Sequence, residues 1–174
     1  MQVLLSSQQL SDTIQKLTRQ LANQHKNIDN LVFAGIQQGG VLVADEMVKE
    51  FEKLFPGKKI PYGQLDITFY RDDIRKQILA PDKMNLPFAI ENKIIILIDD
   101  VLFTGRTIKA ALDALLDYGR PAKVELCVLI DRKEHRQFPI QADYAGATLH
   151  TSKSDKVKLV RNDQGHLEVV LIPA

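Results

Sequence analysis

One cysteine, Cys127, stands alone in 174 residues. No disulfide framework can form within the chain, and the thiol lies in the apolar run 124–130, where it reads as a buried strand residue. Charge of neither sign is in excess: 23 Lys+Arg face 22 Asp+Glu, a net of +1. A chain that binds nucleic acid over a broad face shows a basic surplus, so any such surface here has to be a local patch. No apolar run approaches the roughly 20 residues that span a bilayer, and the amino terminus lacks a charged-then-apolar secretory pattern. The expectation is a cytoplasmic protein with no membrane partner. Neither the Walker phosphate loop nor the dinucleotide glycine fingerprint occurs. Repeats, low-complexity stretches and linkers are missing too, and the length suits one domain with its own core, so residues 1–174 are expected to form a single domain.

Against these absences one stretch stands out, IIILIDDVLFTGRT at 94–107. Five apolar residues, Ile94 to Ile98, run into Asp99 and Asp100. A β-branched run of this kind reads as a strand covered on both faces in a parallel sheet. After the step Val101-Leu102-Phe103, Thr104-Gly105-Arg106-Thr107 opens a helix whose apolar positions are Ile108, Ala111, Leu112 and Leu115, with Gly119 and Pro121 beyond its end. The acids thus sit at the carboxyl end of a strand, the edge where open α/β sheets bind ligands. A helix start has backbone N–H groups without partners and the positive end of the macrodipole. Gly105 permits close approach, and Thr104 and Thr107 add hydroxyls, a cradle for one phosphate monoester. Two carboxylates just upstream suit vicinal sugar hydroxyls or the waters of Mg²⁺. Acids, spacer and phosphate turn in that order ask for a ribose 5-phosphate.

The rest of the chain supplies the scaffold. Leu10, Ile14, Leu17 and Leu21 predict an amphipathic helix over 8–26, with Ser6 and Gln9 as a capping box. LVFAGI at 31–36 is a second buried strand, followed by Gln37-Gln38-Gly39-Gly40 and a helix over about 41–54. Alternation of Leu65, Ile67 and Phe69 with polar neighbours predicts a half-exposed strand over 62–70, and 73–93 reads as a long loop, a candidate lid. VELCVLI at 124–130 is a third buried strand, and 156–172 alternates around Asn162-Asp163-Gln164-Gly165 as a β-hairpin.

The segment DDVLFTGRT (99–107) resembles the phosphoribosyl-diphosphate (PRPP) signature of the type I phosphoribosyltransferases. With LDITFYRDD (65–73), GRPA (119–122), His135-Arg136 and PIQADYAG (139–146), the chain is similar over nearly its whole length to the branch of that family that joins uracil phosphoribosyltransferase activity to RNA attenuation of pyrimidine genes. The resemblance implies an α/β phosphoribosyltransferase fold: a mainly parallel twisted sheet flanked by helices, with a small hood. The implied reaction moves ribose 5-phosphate from PRPP to uracil, giving UMP and pyrophosphate, with Mg²⁺ held through PRPP and water. RNA leader and a homo-oligomer of two or more chains are the further partners it implies.

Residue by residue, the resemblance makes Asp99 and Asp100 the catalytic acids and Val101, Leu102, Phe103, Thr104, Gly105, Arg106 and Thr107 the 5-phosphate segment. Gln37, Gln38, Gly39 and Gly40 fall on the pyrophosphate loop, and Arg71, Asp72, Asp73 and Arg75 on the lid. Ile130, Asp131 and Arg132 fall at the base site, while Thr18, Arg19, His135 and Arg136 match positions used for RNA. Four departures stand out. The family's Thr-Arg-Gly pyrophosphate loop lacks its arginine here, where Gln38-Gly39-Gly40 takes its place. The pattern Asp-Arg-Gly-His-Arg carries Lys133-Glu134 instead of the glycine, and two RNA-side cations are replaced by Gln141 and Ala147. Each lost phosphate contact flattens the salt dependence of RNA binding by about one unit of slope. Three readings therefore stay open: a uracil phosphoribosyltransferase, an RNA-binding attenuator with little catalysis, and a phosphoribosyltransferase for another nucleobase.

Overall fold

The computed structural model describes residues 1–68 and 86–174. Five strands form one parallel sheet: β2 (Leu31–Ile36), β3 (Tyr62–Leu65), β4 (Ile94–Leu102), β5 (Lys123–Asp131) and β6 (Tyr144–Thr148), in the order β3-β2-β4-β5-β6. All four neighbouring pairs run parallel. A separate antiparallel sheet joins β1 (Gln2–Leu5), β7 (Lys156–Arg161) and β8 (Leu167–Ile172) in the order β1-β8-β7. Among the described residues the α-helices are α1 (Ser7–Gln24), α2 (Gly39–Leu54) and α3 (Arg106–Tyr118). Among the described residues no helix is long and apolar enough to cross a membrane.

The apolar runs form central strands because helices cover the sheet on both sides. Residues on one face, Phe33, Ile96, Ile98, Cys127 and Leu129, pack with α1 and α2 through Leu17, Leu21, Met47 and Phe51. Residues of the other register, Val32, Ala34, Ile95, Leu97 and Val128, pack with Ile108, Ala111 and Leu115 of α3. With Leu31 to Ile36 and Ile95 to Ile98 buried on both faces, polar alternation has no place in these runs. Phe51 sets its ring edge-on to Phe33 at 5.4 Å and stacks on Phe55 at 4.9 Å. The α1 start forms as the sequence predicts: Ser6 Oγ accepts the Gln9 N–H at 3.3 Å, and Gln9 Oε1 accepts the Ser6 N–H at 2.9 Å.

Connectivity fixes where a ligand can bind. From β2 the chain passes through α2 to β3 on one side, whereas β4, β5 and β6 extend to the other. Right-handed crossovers therefore put α2 and α3 on opposite faces and open a crevice between the carboxyl ends of β2 and β4. Several boundaries differ from the sequence pattern. α1 ends at Gln24 and α2 begins at Gly39. β3 closes at Leu65, Asp66 to Thr68 lie outside any strand, and 69–85 are outside the described residues. β1 and β6 carry no periodic signal and exist through pairing with β8 and β5.

At the opposite, amino end of β5, Glu125 is 4% exposed and meets three groups. His25, at the α1 C-cap, pairs with its carboxylate, the Tyr144 hydroxyl donates at 3.3 Å, and Lys123 Nζ lies 3.3 Å away. Burial pushes the Glu125 carboxyl up, but His25 and Lys123 outweigh it and hold it below the usual 4.5. A depressed carboxyl contributes stability above its unfolded value and loses it as pH falls through the folded one. Glu125→Gln is therefore expected to lower the melting temperature at pH 7 and to flatten the loss of stability below about pH 4.5, as thermal melts across pH would show.

Candidate active site

The carboxyl end of β4 carries the acids inside the strand itself, which runs on to Leu102. Asp99 is 5% exposed and Asp100 is half-buried. Asp99 Oδ1 accepts the Asp100 N–H at 2.9 Å, and Asp100 Oδ1 accepts the Val101 N–H at 2.8 Å. Burial first, and then the neighbouring Asp100 charge, push the Asp99 carboxyl well above the usual carboxylate range. The two acids are thus unequal: Asp99 is a buried prop, and Asp100 is the one within reach of the crevice. The sequence reading gives both acids to the sugar, and the strand end buries them to different depths.

Across the crevice, α2 starts against this strand end. A Cβ on Gly39 would stand 2.0 Å from Asp100 Oδ2, and one on Gly40 would stand 2.4 Å from the Ile98 carbonyl oxygen. Glycine at both positions lets the positive end of α2 lie directly against the acidic end of β4. Gln38 and Gln37 are exposed ahead of that turn, joined by a cis peptide, and Gln37 Nε2 donates to Gln64 Oε1 of β3 at 3.3 Å.

The turn after β4 is the predicted cradle. Gly105 takes φ 93° as the N-cap of α3, a left-handed conformation that only glycine adopts without strain. A cavity of about 270 Å³ is lined by 101–108. The outside of the turn is braced: Thr104 O accepts N–H groups of Gln137 (2.8 Å) and Phe138 (3.2 Å), and Arg106 Nε donates to Gln137 Oε1 at 2.9 Å. The Arg106 guanidinium also lies 5.2 Å from the Phe138 ring. Its side chain therefore packs on the 137–138 segment, and at the helix start the Arg106 N–H donates to Thr104 Oγ1 at 3.3 Å.

On the far side, Ile130 and Asp131 end β5, both buried, and Arg132 is 3% exposed. Arg132 stacks on Phe103 at 3.9 Å and donates to Thr151 Oγ1 and the Ser152 carbonyl, each at 2.8 Å. Arg136 donates to Asp131 at 2.7 Å and to the carbonyls of Phe103 and Ile140. His135 donates to the Thr151 carbonyl at 2.7 Å with its ring edge-on to Phe103. Of the residues matched to RNA positions, Thr18 is 1% exposed with its hydroxyl on the Ile14 carbonyl, and Arg19 is the exposed one. Arg71, Asp72, Asp73 and Arg75 lie outside the described residues. Thr151 escaped the sequence reading, and Phe103 and Glu134 entered it only as part of the 5-phosphate segment and of the Lys133-Glu134 departure, because nothing periodic marks residues that meet only when β4, β5 and the segment after β6 come together.

A phosphoribosyl transferase domain model matches residues 2–161, and the chain belongs to that family. The resemblance narrows further. The chain is 41% identical over 172 residues to the Bifunctional protein PyrR of Geobacter sp., covering 97% of this chain and 96% of that protein. It is 44% identical over 161 residues to the Bifunctional protein PyrR of Picosynechococcus sp., covering 92% and 90%. Among solved structures, the hypoxanthine phosphoribosyltransferase of Trypanosoma cruzi superposes with a TM-score of 0.72 at 14% identity, covering 99% of this chain and 97% of that one. A hypoxanthine-guanine phosphoribosyltransferase from Bacillus anthracis gives 0.69 at 19% identity, covering 86% and 83%. The structures at that identity speak for the fold.

The two glycines separate in their expected effects. Gly40→Ala forces backbone apart and is expected to lower the melting temperature by several degrees. Gly39→Ala meets only the movable end of Asp100, so it is expected to leave the melting temperature nearly unchanged while displacing the carboxylate and suppressing turnover. Thermal melts beside activity assays check both.

Proposed function

We propose that this chain is a uracil phosphoribosyltransferase that moves ribose 5-phosphate from PRPP to uracil, releasing UMP and pyrophosphate. One observation carries the reading: a helix-start phosphate cradle follows directly on a strand end that presents a reachable carboxylate at the switch point of a parallel sheet. The first-turn N–H groups of α3, with Thr104 and Thr107, hold the 5-phosphate. Asp100 accepts the ribose hydroxyls, and buried Asp99 fixes its backbone through the Asp100 N–H. As the bond from C1′ to the pyrophosphate oxygen breaks, positive charge develops on the sugar ring beside this carboxylate, which stabilises it. A ring nitrogen of uracil then bonds to C1′, and its proton leaves to solvent or pyrophosphate. Gln38 and the amino end of α2 face the pyrophosphate.

Among the described residues no group of three His, Cys, Asp or Glu side chains is placed to hold a metal. One reachable carboxylate, Asp100, would suit Mg²⁺ held mainly through substrate oxygens and water, and such an ion would supply charge neutralisation for the leaving pyrophosphate.

The relatives are called bifunctional; attenuation through RNA is our second reading, and a homo-oligomer is proposed with both. Here Arg136 and Thr18 direct their donors at protein acceptors, which supports the transferase more strongly than the RNA surface. Purified chain with PRPP, Mg²⁺ and each nucleobase in turn is expected to release pyrophosphate with uracil; release with hypoxanthine or guanine alone would overturn the base assignment. In the same assay Asp100→Asn should abolish turnover. Thr107→Ala should raise KM for PRPP by roughly tenfold, the worth of about 1.4 kcal/mol from one hydrogen bond to a charged group.

The missing loop arginine makes a second prediction. A bidentate anion contact contributes roughly 1.5–3 kcal/mol, so Gln38→Arg is expected to lower KM for PRPP by about tenfold or more. An unchanged KM would remove Gln38 from the pyrophosphate side.

A further inference from the structure

Thr151 lies just beyond β6, and each of its polar groups is held by a side chain from the segment that ends β5. Its N–H donates to Glu134 Oε1 at 2.6 Å, its carbonyl accepts from His135 at 2.7 Å, and its hydroxyl accepts from Arg132 at 2.8 Å. Two of these three, Arg132 and His135, also pack on Phe103 in the phosphate turn. The other Glu134 oxygen takes His150 Nδ1 at 2.7 Å, and the Leu149 N–H donates to the Asp131 carbonyl at 2.9 Å. Glu134 is only a third exposed, while the His150 side chain is 87% exposed. The Thr151 N–H and His150 hold the Glu134 carboxyl below the usual range, so it is ionised through neutral pH.

We propose that Glu134 is a positioning residue for the nucleobase: by gripping the Thr151 N–H it fixes the 149–152 segment against Arg132 and Phe103, the wall that a planar base meets beyond β5. This rests on the transferase reading. A pyrimidine presents amide-like edges that backbone groups read, and backbone held in place before binding forfeits less freedom on binding. The phosphate cradle is built from a different segment, 104–107, so the effect falls on the base and spares the sugar phosphate.

Binding measured without turnover separates the two claims. Calorimetric titration with uridine 5′-monophosphate and with ribose 5-phosphate compares ligands that differ by the base alone. Glu134→Ala is expected to weaken the nucleotide by about tenfold and ribose 5-phosphate by less than twofold. Glu134→Gln, which keeps an oxygen for the Thr151 N–H, is expected to restore most of the nucleotide affinity. Equal weakening of both ligands, unchanged nucleotide affinity, or no recovery in Glu134→Gln would each overturn the positioning role. Failure of the wild-type chain to bind uridine 5′-monophosphate more tightly than ribose 5-phosphate would overturn the base site and the positioning role together. An absence of pyrophosphate release with intact nucleotide binding would sink only the transferase reading.

Discussion

The first turn of α2 lies against the end of β4 with no side chain between them, and the rest of the site depends on that contact. Gly40 faces the Ile98 carbonyl and Gly39 faces the Asp100 carboxylate, at separations that a single methyl group would close. The contact brings the positive end of one helix beside the acidic end of the neighbouring strand. The helix start offers N–H groups without intrahelical acceptors, and the strand end offers carboxylate charge.

Around that contact the chain divides its tasks between segments. The 104–107 turn is braced by Gln137 and Phe138 through the Thr104 carbonyl, and it lines a cavity of its own. The strand end of β5 is tied to the segment after β6 through Arg132, Glu134 and His135, all converging on Thr151. Lys133-Glu134, a departure from the pattern that this region resembles, thus has a structural use in this chain. Phe103 stands between the two parts, belonging to the phosphate turn by sequence and to the β5 wall by contact. The His25–Glu125–Tyr144 cluster lies at the other end of the sheet and secures α1 to β5 and β6, away from the chemistry.

The elements that could be read directly were those whose burial leaves a local mark. The runs 31–36 and 94–98, and 124–130 apart from Glu125, lack polar alternation because helices cover both faces of their sheet. The α1 stripe and its Ser6–Gln9 box, and the turn at Asn162–Gly165, are likewise local chemistry. β6 was not legible, since Tyr144–Thr148 is a strand only by virtue of the β5 edge beside it. Gly39 and Gly40 read as a loop because glycine disfavours helices, yet both are helical: close packing on β4 outweighs a propensity cost of about 1 kcal/mol each. The adjacent acids read as an equal pair, and burial made them unequal. Arg136 and Thr18 matched RNA positions in the sequence, yet both donate to protein carbonyls, because residue type alone says nothing of intramolecular acceptors.

By itself the sequence determined the parallel α/β core, the order of its central segments and the phosphate turn at Thr104–Gly105–Arg106–Thr107, because hydrophobic period and turn chemistry act between residues close along the chain. Tertiary structure alone decided which acid faces the crevice, why two glycines must precede α2, and which side chains hold Thr151. Those outcomes depend on distances between atoms far apart in sequence, set only once the sheet order and the two helix-covered faces are in place.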